Sequence, residues 1–272
     1  MEIHIIGSNG KEVFWLSEML SRPRQGRIVS YAELFYEWRK KHNCWEKEPT
    51  YWREIDGHAV PFFGAIQFIS RSDIEAYFDE RYTHSEWKKK MCTENKNAMT
   101  YYSGEDYKHI NRNLRKCHKE NIPIDRCWEM SSEEREHIRN LDQAISSYVL
   151  EEPIRVYRSI GNNMRDTLLS KIKNKENFSD GAYMSSSCYR LCKMLHRRGT
   201  DLMVIDVPPG KGYGAYIAEY SKYQNQHEFL MSRFIELKPI EAKEIGGRYV
   251  FFMEAVLTKG KNRSNHNLPF VW

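Results

Sequence analysis

The feature that most constrains this chain is a change of hydrophobic period near residue 150. Before it, apolar residues recur at helical spacing: Tyr107, Ile110 and Leu114 within Ser103 to His118, and a second amphipathic stretch from Ser131 to Tyr148 with Ser132 or Ser131 as the cap. After it come PIRVYRSI (153–160), AYMSSS (182–187), LMVIDVPP (202–209), FLMSRFIEL (229–237) and RYVFFMEAVL (248–257), short runs of which several alternate apolar with polar residues. Helices first and strands afterwards predict an α+β domain whose sheets are largely antiparallel.

Further upstream, MEIHII reads as a strand. Ser30 to His42 reads as a helix capped by Ser30 with Glu33 completing a capping box, and Ser70 to Phe78 as another helix after the apolar GHAVPFFGAIQFI. The polar KKKMCTENKN (88–97) is the best boundary. It divides the chain into a smaller N-terminal region of mixed structure, 1–95, and a main domain, 96–272. The first part carries 14 Lys+Arg against 15 Asp+Glu and the second 28 against 22, so the basic excess belongs to the main domain. A surplus of that size is ordinary for a solvated surface, and attraction to nucleic acid is its sharper reading.

Six cysteines have no regular framework, no apolar run approaches the roughly 18 residues of a membrane span, and the first thirty residues lack the series of a secretion signal. The expectation is a cytoplasmic protein with reduced thiols and no membrane partner, working in its producer or in a target cell after delivery.

Two apparent motifs fail on chemistry. Gly210, Gly212 and Gly214 are spaced G-x-G-x-G behind Pro208-Pro209, which spoils the strand-to-helix entry of a dinucleotide-binding turn; these glycines shape a turn instead. Cys188, Cys192 and His196 would align on a helix, but no fourth ligand stands at a convincing spacing, so no metal is expected. Arg158 on one strand, a diphosphate-sized fork by chemistry, and the hydroxyls Ser185-Ser186-Ser187 on another are ambiguous singly.

In order, they are specific. An Arg on a first strand, a Ser-rich strand some thirty residues on, and Gln226-His227-Glu228 about forty residues beyond resemble the arginine-serine-glutamate class of mono-ADP-ribosyltransferases, with Ser in place of the commoner middle Thr. YSGEDYKHINRNLRK (102–116) is similar to the helix opening the catalytic domain of clostridial Rho- and actin-modifying toxins. LDQAI (141–145), FSDGAYMSSS (178–187), VIDVPPGKGYGAYI (204–217) and FFMEAVL (251–257) extend the resemblance over about residues 96–258. Nothing similar covers residues 1–95, whose expected role is acceptor recognition, covering the NAD cleft or partner binding.

The resemblance implies a fold of two packed, largely antiparallel sheets flanked by helices, with NAD as co-substrate and donor of ADP-ribose. Glu228 would stabilise the positive charge that develops on the ribose, Ser185 would hold Glu228, and Arg158 would clamp the diphosphate with Asn111, Arg115 and Ser187 also toward NAD. Tyr220 and Tyr223 would belong to the acceptor-recognising turn. Read as a strand, Gln226 and Glu228 at i and i+2 share a face, with Gln226 toward the acceptor and His227 packed on the other side. A neutral amide at 226, where arginine-modifying relatives carry a carboxylate, suits an amide or a nucleobase edge. The amide disfavours arginine and does not choose between the rest; the basic main domain, the aromatics near the turn and the missing export signal tilt the expectation to RNA or DNA, with a protein Asn or Gln, as on a small GTPase, or simple NAD hydrolysis as the alternatives. A toxin of this kind also implies an antitoxin or immunity protein.

Overall fold

The computed structural model describes residues 65–257, apart from 69, 105, 106, 198 and 246. The strand MEIHII, the helix Ser30 to His42 and most of GHAVPFFGAIQFI lie outside them. Helices come first: α1 (Arg71–Asp79), α2 (Tyr82–Lys90), α3 (Thr93–Tyr102), α4 (Tyr107–Glu120) and α5 (Ser132–Ser147). Capping boxes open two of them, Ser70 with Asp73 at α1 and Ser131 with Glu134 at α5, each satisfying two otherwise orphaned backbone donors. Ile110, Leu114 and Cys117 form the buried stripe of α4, while Tyr107, expected in that stripe, is exposed.

The strands are β1 (Val149–Leu150), β2 (Ile154–Ile160), β3 (Met184–Ser187), β4 (Asp201–Val207), β5 (Gly210–Lys211), β6 (Gly214–Tyr216), β7 (Glu228–Met231), β8 (Ile235–Ile245) and β9 (Arg248–Leu257). Seven of them make one sheet in the order β6-β7-β3-β2-β4-β9-β8, antiparallel except for the β4–β9 pair, and β1 with β5 makes a small antiparallel ribbon. The α+β class and the largely antiparallel pairing agree with the sequence; the strands are distributed seven and two.

Three local differences have physical causes. FLMSRFIEL is two strands, because Arg233 turns inward and forks onto the buried carboxylate of Asp142, with Nη2 to Oδ2 at 2.7 Å, while the Tyr183 hydroxyl donates to the same group. A helix absent from the sequence reading, α6 (Asn162–Asn174), fills the β2–β3 connection; it has no side-chain cap at Gly161 and buries only Leu168, so it carries neither signal that marks the others. Finally, KKKMCTENKN, read above as a boundary, spans the end of α2 and the start of α3. Asn95 there is buried and donates to the Asn140 carbonyl at 2.8 Å.

The described residues ahead of 96 contribute to the same core. Phe78 stacks on Tyr216 with centroids 3.9 Å apart, the Trp87 indole donates to the Ala144 carbonyl at 2.8 Å, and Ile66 bridges to Ile154 beside β2. At Gly214 β6 runs tight against β7: a Cβ there would lie 2.5 Å from the Phe229 ring and 2.7 Å from the Leu230 carbonyl. Only glycine permits that approach. The pair it allows is the one that carries Glu228.

Candidate active site

Glu228 begins β7, opposite Ser187 on β3, and is 5% exposed. Its carboxylate receives hydrogen bonds from the hydroxyls of Ser185 and Ser221, the latter at 3.1 Å, and feels the charge of Arg158. Burial lifts the carboxyl above the ordinary glutamate range, and those two hydroxyls and the guanidinium pull it partly back. Arg158 reaches across from β2 to donate to the Ser185 carbonyl at 2.5 Å. Thus Arg158, Ser185 and Glu228, on three neighbouring strands, converge at one end of the sheet.

The helical layer meets them there. Asn111 on α4 donates to the Tyr102 hydroxyl at 2.8 Å and to the Tyr183 carbonyl at 3.2 Å, and its own buried carbonyl oxygen has no partner. The charges of Glu228, Arg158 and Arg115 all act on the buried Tyr102 phenol, whose pKa burial drives upward. Arg115 forks onto Asp180, with Nη2 to Oδ2 at 2.9 Å, and Asp180 holds the Arg115 guanidinium firmly ionised. An orphaned acceptor and an oriented guanidinium beside a buried carboxylate suit a polar, diphosphate-bearing ligand such as NAD.

Gln226 does not sit where the strand reading puts it. It ends a short 3₁₀ turn, Gln224–Gln226, and His227 follows in the left-handed region at φ 46°, so β7 starts only at Glu228 and the i, i+2 alternation does not apply. Gln226 is partly exposed ahead of the carboxylate. Ser187 explains how this turn is held: its hydroxyl donates to the Gln226 carbonyl at 2.6 Å, and the Cys188 amide donates to the His227 carbonyl at 2.9 Å. Ser187 is thus bonded to the turn. His227 is buried beneath it against the Tyr216 hydroxyl at 3.1 Å, and burial lowers its pKa.

The two tyrosines separate. Tyr223 is 52% exposed at the turn, whereas Tyr220 packs edge-on to Trp87 and has its phenol pushed up to about 12 by burial. The turn is fastened to the helices by the Thr100 hydroxyl on the Tyr220 carbonyl at 3.1 Å and the Lys222 amide on the Ser103 hydroxyl at 3.0 Å. Cys188, Cys192 and His196 do not share a helix: Cys188 follows β3, and only 193–196 form a 3₁₀ turn.

The ADP-ribosyltransferase exoenzyme family matches residues 78–260, two thirds of the chain and the whole of this constellation. The chain belongs to that family. ADP-ribosyltransferase toxins of this kind take NAD as their co-substrate. A curated relative, "NAD(+)--arginine ADP-ribosyltransferase EFV" of Enterococcus faecalis, is 27% identical over 181 residues, which is 66% of this chain and 34% of the relative. The chain therefore spans about a third of that relative's length. Among solved structures, Plx2a, an ADP-ribosyltransferase toxin from Paenibacillus larvae, superposes with a TM-score of 0.56 at 20% identity over 70% of this chain and 97% of that one. The C3 exoenzyme of Clostridium limosum gives 0.55 at 16% identity over 72% and 98%. C3stau2 from S. aureus, solved with NAD, gives 0.54 at 17% identity over 72% and 100%. At such identities these likenesses establish the ADP-ribosyltransferase fold.

Two residues that touch this family site escaped the sequence reading. Asp180 had a usable signal, an acid directly before Gly181, whose φ of 70° and contact with the His118 ring mark a required turn. Ser221 had none: its contact with Glu228 exists only because the intervening turn folds back.

Proposed function

We propose that this domain transfers ADP-ribose from NAD to a macromolecular acceptor through Glu228. The observation that carries this is the buried carboxylate held by two hydroxyls beside a guanidinium. In the step envisaged, the bond between nicotinamide and ribose breaks and its electron pair leaves with nicotinamide, so positive charge builds on the ribose. A nucleophile on the acceptor forms the new bond to the same carbon and loses a proton. A fixed carboxylate in a dry site stabilises that charge as it develops, without reorganising. Arg158, Asn111 and Arg115 would hold the NAD, with Asp180 orienting the Arg115 fork; Ser185 and Ser221 hold Glu228.

Gln226 and Tyr223 are the side chains we assign to the acceptor. The amide at 226 suits a partner that both donates and accepts, a base edge or a side-chain amide, better than a guanidinium. A second reading, arginine as acceptor, is favoured by the printed name of the Enterococcus relative. The test uses NAD labelled on its adenylate portion with three acceptors offered separately: RNA, protein extract and agmatine, a small guanidinium. Labelled RNA or protein that falls in Gln226→Ala while NAD hydrolysis persists supports the assignment. Efficient labelling of agmatine, or equal loss of both reactions in the variant, overturns it. Partnership with an antitoxin or immunity protein is a further expectation, tested by co-purification from a producing cell.

A further inference from the structure

The segment leaving β3 is unusual in charge. From Gly181 to Thr200 there is no Asp or Glu, while Arg190, Lys193, Arg197 and Arg198 fall within nine residues together with His196. Arg190, Lys193, His196 and Arg197 are exposed, and among the described residues none of the three cations Arg190, Lys193 and Arg197 pairs with a carboxylate. The segment is nevertheless fixed. Cys192 and Leu195 are buried in a small cluster with Tyr157, Val204, Val250 and Phe252, and Arg248 donates to the Leu195 carbonyl at 2.9 Å. Leu191 and Met194 lie exposed between the cations, at 59% and 38%.

This platform is joined to the acceptor turn. Ser187 and Cys188, at its root, bond to Gln226 and His227. Tyr189 packs edge-on to His227 at 6.0 Å, and the Arg71 guanidinium lies 5.4 Å over the Tyr189 ring while donating to the Asn225 side chain at 3.4 Å. Glu75 lies at that junction, 4.0 Å from His227. Cations with no carboxylate partner among the described residues lead through Arg71 to Gln226 and the exposed ring of Tyr223.

We infer that residues 190–197 form a docking track for single-stranded nucleic acid, which delivers a base to Gln226 and Tyr223. Cations spaced along a fixed backbone match a row of phosphates, and an exposed tyrosine beside an amide can stack on a base and read its edge. A protein acceptor would need carboxylates to match this track and would have to cover Leu191 and Met194; a nucleic acid needs only its backbone charge. This inference rests on the transfer chemistry proposed above for which base is modified, but the docking itself does not.

The test compares the parent chain with Arg190→Gln/Lys193→Gln/Arg197→Gln, all three changes being on exposed side chains. It measures binding of a fluorescent single-stranded RNA by anisotropy across salt concentrations, labelling of that RNA from NAD, labelling of protein extract, and NAD hydrolysis. The expected result is RNA binding and labelling at least about ten-fold weaker in the variant, with the slope of log affinity against log salt flatter by about 2, since each phosphate neutralised on a single strand contributes roughly 0.7. Hydrolysis of NAD stays at the parental level. RNA binding unchanged in the variant, or a parent chain that labels protein and ignores RNA, overturns the track. A parent that binds RNA through these residues yet releases no nicotinamide refutes the chemistry and leaves the docking inference standing.

Discussion

Replacing Ser221 with Ala removes one hydroxyl and isolates its hold on Glu228. That hydroxyl donates to the buried carboxylate at 3.1 Å while accepting from the Tyr223 amide at 3.2 Å, so it joins the acceptor turn to the group we assign to charge stabilisation. A hydrogen bond to a charged group contributes about 1.5–3 kcal/mol. If that is lost when Glu228 must carry its full charge, kcat/KM for NAD hydrolysis falls roughly ten- to a hundred-fold, at about 1.4 kcal/mol per factor of ten. The pH profile separates this from a general loss of packing. Burial raises the Glu228 pKa and the Ser221 hydrogen bond lowers it, so deleting the bond raises it further. With ionised Glu228 as the proposed active form, the acid limb of the rate profile moves to higher pH, and part of the activity returns on raising the pH. Ser221→Thr, which keeps a hydroxyl, restores both the rate and the limb. The assay is nicotinamide release from about pH 5 to 9. A variant with a lowered rate but an unmoved acid limb, or one with no loss at all, refutes the reasoning.

Other consequences follow from the same contacts. Because the folded pKa of Glu228 is raised, folding favours its protonated form; the stability this gives at low pH is lost as pH rises through the folded pKa, leaving the charged side chain as a cost above it. Glu228→Gln therefore melts no lower than the parent at pH 8, and its relative advantage shrinks as the pH falls; calorimetry across pH checks this, and a lower melting temperature at pH 8 contradicts it. Arg233→Leu leaves the Asp142 carboxylate buried with only the Tyr183 hydroxyl as donor, and costs about 3–5 kcal/mol in urea unfolding. Gly214→Ala sets a methyl against Phe229 and the Leu230 carbonyl, costs about 1–3 kcal/mol, and lowers transfer because β7 must shift.

What was legible in the chain was what local chemistry repeats. The capping boxes at Ser70 and Ser131, the apolar stripe at Ile110 and Leu114, and the succession of Arg158, Ser185 and Glu228 need no tertiary information to recognise. The position of Gln226 was not legible, because nothing in Gln226-His227-Glu228 announces that a non-glycine residue takes a positive φ. That conformation is imposed from another strand, by Ser187 and Cys188 bonding to the carbonyls of Gln226 and His227. The break in FLMSRFIEL was hidden for a related reason: Arg233 leaves the strand pattern for a carboxylate 91 residues away. Ser221, similarly, meets Glu228 only once its turn has closed.

The most direct test of the account is nicotinamide release from NAD by the purified chain beside Glu228→Gln, with NAD affinity of both measured by calorimetry. The parent is expected to turn over, the variant to lose about 10²–10³ in kcat, and NAD affinity to change little, because the proposed role of the carboxylate is to act on charge present only in the transition state. A variant that releases nicotinamide at the parental rate, or a parent that binds NAD and leaves its glycosidic bond intact, contradicts the assignment of Glu228 and with it the central claim.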